Sequence, residues 1–130
     1  MTSFRIIYKP ESWNKLARKS YWTYKRVFEA WHALTWQALT EADIRKAEGA
    51  VRLVVTARWK GNRHHDLDNI LLKPVIDTMV KFGVFPDDRL KNIPEITLRG
   101  LTNQEEDSLQ IDLVPVVLGS KNGTDECSRA

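Results

Sequence analysis

Hydrophobic residues recur along this chain with two different periods, and each period predicts one kind of element. Val27, Trp31 and further apolar residues recur at helical spacing, which predicts an amphipathic helix over residues 22–39. A second stripe at the same spacing predicts a helix over residues 72–82, closed by Gly83 because glycine adopts the left-handed conformation that ends many helices. Two main helices are therefore expected.

Alternating apolar and polar residues predict the strands. Over residues 51–59, apolar side chains alternate with polar ones that include Arg52 and Arg58, so one face of this strand is expected to be buried and the other cationic. Further segments with strand-like sequences are residues 4–8, 95–101 and 109–118. The hydrophilic residues 102–107 predict a hairpin between the last two strands.

Weaker signals lie between these elements. The polar residues up to Ser20 are expected to form a loop, and Thr40 begins a sequence typical of a helix N-cap, so a short helix is expected to reach Glu48. The resulting order, β-α-(α)-β-α-β-β, predicts an α+β fold with a small mixed β-sheet covered by two main helices. The length predicts a single domain over residues 1–120, followed by a disordered tail over residues 121–130.

Composition narrows the class of protein. The chain has 130 residues, a formal net charge of +3 and a single cysteine, Cys127, which has no second cysteine for an internal disulfide. No apolar run approaches membrane-spanning length, and the first residues lack the apolar segment of a signal peptide. These features predict a cytoplasmic protein with no membrane partner.

Cations and aromatic residues are interleaved near the start of the chain. Lys15, Arg18 and Lys19 are interleaved with the aromatic residues Trp13, Tyr21, Trp22 and Tyr24. Cations neutralise phosphates and aromatic rings stack on exposed bases, so this segment is a candidate nucleic-acid surface. The alternative is a solvated basic loop that leads into a helix whose aromatic residues pack inward.

Four aspartates stand in two tight clusters within this basic chain. Asp66 and Asp68 follow the cationic strand, and Asp87 and Asp88 follow the second main helix. Carboxylates at close range repel one another, whereas a divalent cation offsets that repulsion and prefers oxygen ligands. The structural alternative is that these aspartates cap a helix and form a turn. The adjacent histidines have no clustered cysteine or third histidine to complete a zinc site.

An ordered motif over residues 63–88 resembles the RusA family of Holliday junction resolvases. It reads Arg63-x-x-Asp66-Leu67-Asp68-Asn69, then Lys73-Pro74-x-x-Asp77, then Gly83-x-x-x-Asp87-Asp88. The match in order and spacing covers about a fifth of the chain. The resemblance implies a RusA-like homodimer that resolves four-way DNA junctions by paired, symmetric phosphodiester hydrolysis during recombination and repair. It also implies a bacterial or phage-encoded protein that acts in the host cytoplasm.

The resemblance also implies residue roles. Asp66, Asp68 and Asp88 match the catalytic aspartates that bind Mg²⁺, or Mn²⁺ in its place, with Asp87 auxiliary, and Lys73 matches an essential lysine. A compact ammonium there can stabilise charge that develops on a scissile phosphate. The basic residues expected to hold the DNA arms are Arg58, Lys60, Arg63, Lys15, Arg18 and Lys19.

One spacing departs from the family pattern. The interval from Asp68 to Lys73 is one residue longer than is usual in the family. A helix capped by Asn69 would place Pro74 where it lacks a needed N–H and clashes with the preceding turn. Either a late helix start or a bulge is therefore predicted, which would return Lys73 toward the site. Lys73 also has a structural alternative, an ion pair with Asp77 one turn later.

Two other functions fit the sequence. One is a non-catalytic DNA-junction binding module that keeps the fold, and the other is a metal nuclease that acts on other branched DNA or on RNA.

Overall fold

In the computed structural model, residues 2–10, 12–62 and 70–116 are described. They form one mixed sheet and several helices, which confirms the predicted α+β fold. The elements in chain order are β1 (Thr2–Ile6), α1 (Trp13–Ala17), α2 (Tyr21–Glu41), β2 (Val51–Arg58), α3 (Lys73–Phe82), β3 (Glu95–Leu101) and β4 (Ser108–Pro115). The predicted tail over residues 121–130 lies outside the described residues.

The strand order across the sheet is β1-β4-β2-β3, so the predicted hairpin between β3 and β4 is wrong. β3 pairs parallel with β2, because a strand, a crossover helix and a second strand form a parallel pair, and α3 is that crossover. β4 then pairs antiparallel with the other side of β2 and with β1. Residues 102–107 cross the end of β2, where the Gln104 amide donates to the Trp59 carbonyl at 3.0 Å.

The two faces of the sheet differ in character. Leu53 and Val55 of β2 and Ile111 of β4 point into the core, each about 1% exposed, and pack with Trp31 of α2 and Val75 of α3. The opposite face carries the polar residues of the same strands, as the alternation predicted. This second face is called the open face below, because its arginines reach solvent.

α2 matches its predicted position, but the segments around it do not. Ser20 caps α2 by accepting a hydrogen bond from the Thr23 amide at 3.3 Å, and the expected loop before it contains the short helix α1. The short helix expected to reach Glu48 is absent from the described structure, because Thr40 lies inside α2 and donates its hydroxyl to the Trp36 carbonyl at 2.9 Å. A side chain that bonds back to its own helix does not cap a new one.

α3 confirms the predicted late start. It begins at Lys73, so Pro74 occupies the second helical position, where a helix has no partner for an N–H. It ends at Phe82, and Gly83 takes a left-handed conformation with φ 98°. That conformation favours glycine, which has no Cβ to clash with the following carbonyl.

Candidate DNA-binding and metal-binding site

Lys73 is the first residue of α3, and its side chain is 63% exposed. Its Nζ lies 3.5 Å from Oδ2 of Asp77, one helical turn later. Exposed pairs of this spacing contribute only about 0.3–0.5 kcal/mol, so the contact holds the lysine weakly. The ion pair that the structural alternative required is present, and it leaves the ammonium able to bind a phosphate.

The turn after α3 uses one of its two aspartates. Asp87 Oδ1 accepts hydrogen bonds from the Arg89 amide at 2.9 Å and from Asn92 Nδ2 at 2.7 Å. The Arg89 amide above all, and then Asn92, favour the charged carboxylate and lower the pKa of Asp87. Asp88 is exposed and forms no hydrogen bond or ion pair with another described residue. Asp87 therefore shapes the turn, whereas the carboxylate of Asp88 is available to a cation.

α3 separates Lys73 from Asp88 within one chain. The helix has ten residues, which span roughly 15 Å at 1.5 Å per residue. Beyond the helix, the Asn92 carbonyl accepts a hydrogen bond from the Val51 amide at 2.9 Å, which ties this turn to the start of β2. Lys60 follows the other end of β2, roughly 23 Å along the strand at 3.3 Å per residue. The two described members of the predicted catalytic set therefore lie at opposite ends of α3 within one chain.

The predicted residues Arg63, Asp66 and Asp68 lie outside the described residues. Their roles as phosphate contact and metal ligands stay predictions. Among the residues that the structure does describe, no group of three or more His, Cys, Asp or Glu side chains is placed to hold a metal ion. Asp87 and Asp88 are thus the predicted ligands whose surroundings are known.

The basic residues predicted to hold DNA arms are exposed near the start of the chain. Lys15 lies in α1, and Arg18 and Lys19 follow it in the turn that leads to α2. Tyr21 and Trp22, at the start of α2, are 66% and 69% exposed. Exposed rings beside cations favour the nucleic-acid surface over the alternative in which these aromatic residues pack inward.

The aromatic residues farther along α2 belong to its packing against α3. Tyr24 and Phe28 stack with ring centroids 4.4 Å apart, and both are half-buried. His32 Nδ1 lies 2.8 Å from the hydroxyl of Thr78 in α3. A groove of about 560 Å³ runs between these two helices, and Asp77 contributes to its wall. The inward-packing alternative is therefore right for this part of the helix.

Arg58 belongs to a contact that spans three strands of the open face. Its Nη1 donates to Oε1 of Gln110 at 2.7 Å, and Nη2 of Arg5 donates to the same oxygen at 2.8 Å. Burial, followed by repulsion from Arg5, lowers the pKa of Arg58. Sequence reasoning selected Arg58 but missed Arg5 and Gln110. Alternation places each on a polar face, yet only the strand order brings them together.

Comparison with known proteins does not assign a family to this geometry. No protein-family model matches the chain, and no curated protein matches it at a significant level. Among the described helices, none is both long enough and apolar enough to cross a membrane.

Proposed function

We propose that this protein is a RusA-like, Mg²⁺-dependent endonuclease that hydrolyses phosphodiesters in four-way DNA junctions. The observation that carries the proposal is the ordered motif from Asp66 to Asp88. The described residues support it, because α3 begins at the motif's lysine, Lys73, and is closed by the motif's glycine, Gly83. Two residues of the motif therefore mark the start and the end of α3.

The donor set fits a hard divalent cation. Asp66, Asp68 and Asp88 offer carboxylate oxygens, which Mg²⁺ prefers, and the exposed carboxylate of Asp88 has no partner among the described residues. When bound, Mg²⁺ would activate a water molecule and offset the charge on the phosphate. The ammonium of Lys73 would hold the scissile phosphate by charge-assisted hydrogen bonds.

The length of α3 gives a second reason to propose a homodimer. Paired, symmetric incisions require two sites related by a two-fold axis, and one small domain supplies one. Because α3 separates Lys73 from Asp88, a site that uses both residues takes them from different chains. Each site would then combine Asp66, Asp68 and Lys73 of one chain with Asp88 of the partner subunit.

Cleavage of a synthetic four-way junction tests the enzymatic proposal. With each strand labelled in turn, Mg²⁺ should give incisions at symmetric positions in two strands, and EDTA should abolish them. A linear duplex of the same sequence is the matched control and should stay uncut. Tight junction binding without incision in Mg²⁺ or Mn²⁺ would overturn the enzymatic proposal.

A non-catalytic junction-binding module is the second candidate. The interval from Asp68 to Lys73 favours it, because it is one residue longer than is usual in the family at the predicted catalytic lysine. Asp68→Asn separates the two candidates. In a nuclease, the substitution should abolish incision while junction affinity survives or rises, since a negative charge near phosphate is removed. In a binding module, the variant and the wild type should behave alike in both assays.

A metal nuclease for other branched DNA or for RNA would share this site. Competition between junction, flap and RNA substrates over a range of salt concentrations distinguishes it, because non-specific phosphate binding weakens steeply with salt.

A further inference from the structure

A row of paired residues crosses the full width of the open face. The strand register pairs Arg5 with Gln110, Gln110 with Thr56, and Thr56 with Arg99. Residues paired in this way project to the same face of the sheet. At about 4.8 Å per strand, the backbones of Arg5 and Arg99 lie roughly 14 Å apart. Arg58 lies two residues beyond Thr56 and therefore projects to the same face.

Three guanidinium groups project from this face, and the charge of one carboxylate, Asp112, acts on Arg58 without forming an ion pair. Arg5, Arg58 and Arg99, called the arginine cluster below, form no ion pair with any other described residue. Arg5 and Arg58 instead share the neutral acceptor Gln110 Oε1. The nearby carboxylate of Asp112 accepts a hydrogen bond from Gln110 Nε2 at 3.0 Å. The acid thus fixes the glutamine, and the glutamine fixes the two arginines.

Arg52 and Arg45, by contrast, each have an acidic partner within 4.0 Å. Arg52 lies on the same face, and its Nη1 is 4.0 Å from an oxygen of Glu95. Arg45 lies outside the sheet and forms a 3.0 Å ion pair with Asp43. The arginine cluster differs from both, because its members repel one another. Burial, above all, and then Arg5 lower the pKa of Arg58; Asp112 opposes this effect, and Arg99 adds to it more weakly.

Such a cluster is stabilised by an anion that several guanidinium groups can contact together. The planar fork of a guanidinium matches two oxygens of a phosphate, and holding two of the forks on Gln110 reduces the entropy lost on binding. Arg5 and Arg58 line a cavity of about 320 Å³ that also contains Glu105 and Glu106, whereas Arg99 lies outside it. The cluster as a whole extends across the sheet, and the two acids disfavour a small anion in the cavity, so an extended polyanion fits the three arginines better. Arg58 is also the last residue of β2, which leads to the motif that begins at Arg63.

We infer that Arg5, Arg58 and Arg99 form a binding surface for the sugar–phosphate backbone of a DNA strand on the open face of the sheet. This inference deepens the proposed function, since it names the surface that would hold an arm of the junction. It adds Arg5, Arg99 and the positioning residue Gln110 to the basic residues that the sequence indicated. Binding to this surface requires neither the metal nor cleavage, so it can be measured separately.

The salt dependence of binding tests the inference. A labelled four-way junction and a duplex are titrated in EDTA at several salt concentrations, and binding is followed by fluorescence anisotropy. Arg5→Ala, Arg58→Ala and Arg99→Ala should each lower the slope of log affinity against log salt by about one. The affinity should fall roughly eightfold at 0.1 M salt for each lost phosphate contact. Arg45→Ala, whose arginine is paired with Asp43, is the matched control and should leave the slope unchanged.

Two further variants separate charge from folding. Arginine-to-lysine variants at the three positions keep the charge and should retain the wild-type slope, with a smaller loss of affinity because the fork is gone. Gln110→Glu removes no arginine but adds a negative charge among them, and it should weaken binding about as much as the loss of one arginine. Thermal unfolding of each variant establishes that the sheet is intact.

Unchanged slopes in all three alanine variants would overturn the inference. So would displacement of the DNA by polyglutamate as readily as by polyphosphate at equal charge, because the surface would then have no preference for phosphate. The proposed nuclease activity fails separately. If the wild type binds DNA through the arginine cluster but does not cut it, the binding surface stands and the nuclease proposal fails. If the alanine variants cut and bind normally, the nuclease proposal stands and the binding surface fails.

Discussion

The two ends of α3 are built from different residues and are held with different firmness. At the start, Pro74 takes a position that needs no N–H, and the exposed Lys73 has only a weak ion pair. At the end, left-handed Gly83 and the doubly hydrogen-bonded Asp87 fix a tight turn. The firm end leaves Asp88 exposed as the residue that the turn does not use. The C-terminal end of α3 is thus a firm turn that exposes the carboxylate of Asp88, and the N-terminal end carries the weakly paired ammonium of Lys73.

Mixed dimers give the largest expected effect, because they decide whether the two ends serve one site. Lys73→Met and Asp88→Asn should each abolish cleavage in homodimers. If the partner subunit supplies Asp88, a mixed dimer of the two variants has both mutations in one site. Its second site then contains an intact Lys73 and an intact Asp88. Junction cleavage by co-refolded chains should therefore reappear as single nicks. Failure to recover any nicking would mean that the two ends do not act together across the dimer.

A second mixture provides the control for this experiment. Lys73→Met and Asp68→Asn alter residues proposed to come from the same chain, so each site of their mixed dimer carries one mutation. This mixture should stay inactive. Recovery there would place Lys73 and Asp68 on different chains and would revise which residues each chain contributes.

Substitution of the two adjacent aspartates tests the comparison at the firm end alone. Asp88→Asn removes a proposed metal ligand and should lower junction cleavage by more than about 100-fold, beyond the loss typical of residues that only support a ligand. Asp87→Asn keeps an oxygen that accepts from the Arg89 amide, so cleavage should fall by less than about tenfold. Equal losses in cleavage rate would show that the turn, rather than the ligand, limits activity.

Gly83 tests how far the turn depends on its left-handed residue. Gly83 has φ 98°, and no atom beyond the glycine and its two chain neighbours lies within 4 Å of where a Cβ would stand. Gly83→Ala should still lower the free energy of unfolding by about 1–2 kcal/mol, because at this φ a Cβ comes too close to the following carbonyl oxygen of the same backbone. Gly49→Ala is the matched control: a Cβ there meets nothing within 4 Å, and the free energy should change little. Chemical denaturation measures both, and equal changes would contradict the role given to φ.

Local signals predicted most of the elements but not their arrangement. The period of Val27 and Trp31 identified α2, and the placement of Pro74 indicated where α3 begins, because helix periodicity and proline sterics act within a few residues. The hairpin was wrong because β4 could pair with β3 or with β2, and that choice depends on the crossover helix. Arg5 and Gln110 were missed for the same reason, since their contact exists only in the observed strand order.

The candidate site shows a similar limit. The sequence places Lys73 and Asp88 in one motif and predicts the helix between them, but the motif itself does not show that this helix sets the two residues at its opposite ends. The resemblance made Asp87 auxiliary to Asp88, but the residue types alone do not show why. The difference arises from the Arg89 amide and from Asn92, five residues after Asp87, which both donate hydrogen bonds to Asp87.

The pH dependence of stability tests the smallest effect, the hydrogen bonds of Asp87. Its pKa in the folded protein is lowered, chiefly by the Arg89 amide, below the value of about 3.9 expected for the unfolded chain. The charged carboxylate therefore stabilises the fold above that value, and this contribution is lost as the pH falls through the folded pKa.

Because Asp87→Asn does not titrate at this position, the wild type should have a larger free energy of unfolding than the variant at neutral pH. The difference should shrink in acid, below about pH 4. Urea denaturation of both proteins across this range measures it, and a difference independent of pH would show that the turn does not require the charge. Asn92→Ala provides a further test. It removes the hydrogen bond from Asn92 to the Asp87 carboxylate but keeps the one from the Arg89 amide, so part of the pH dependence should remain.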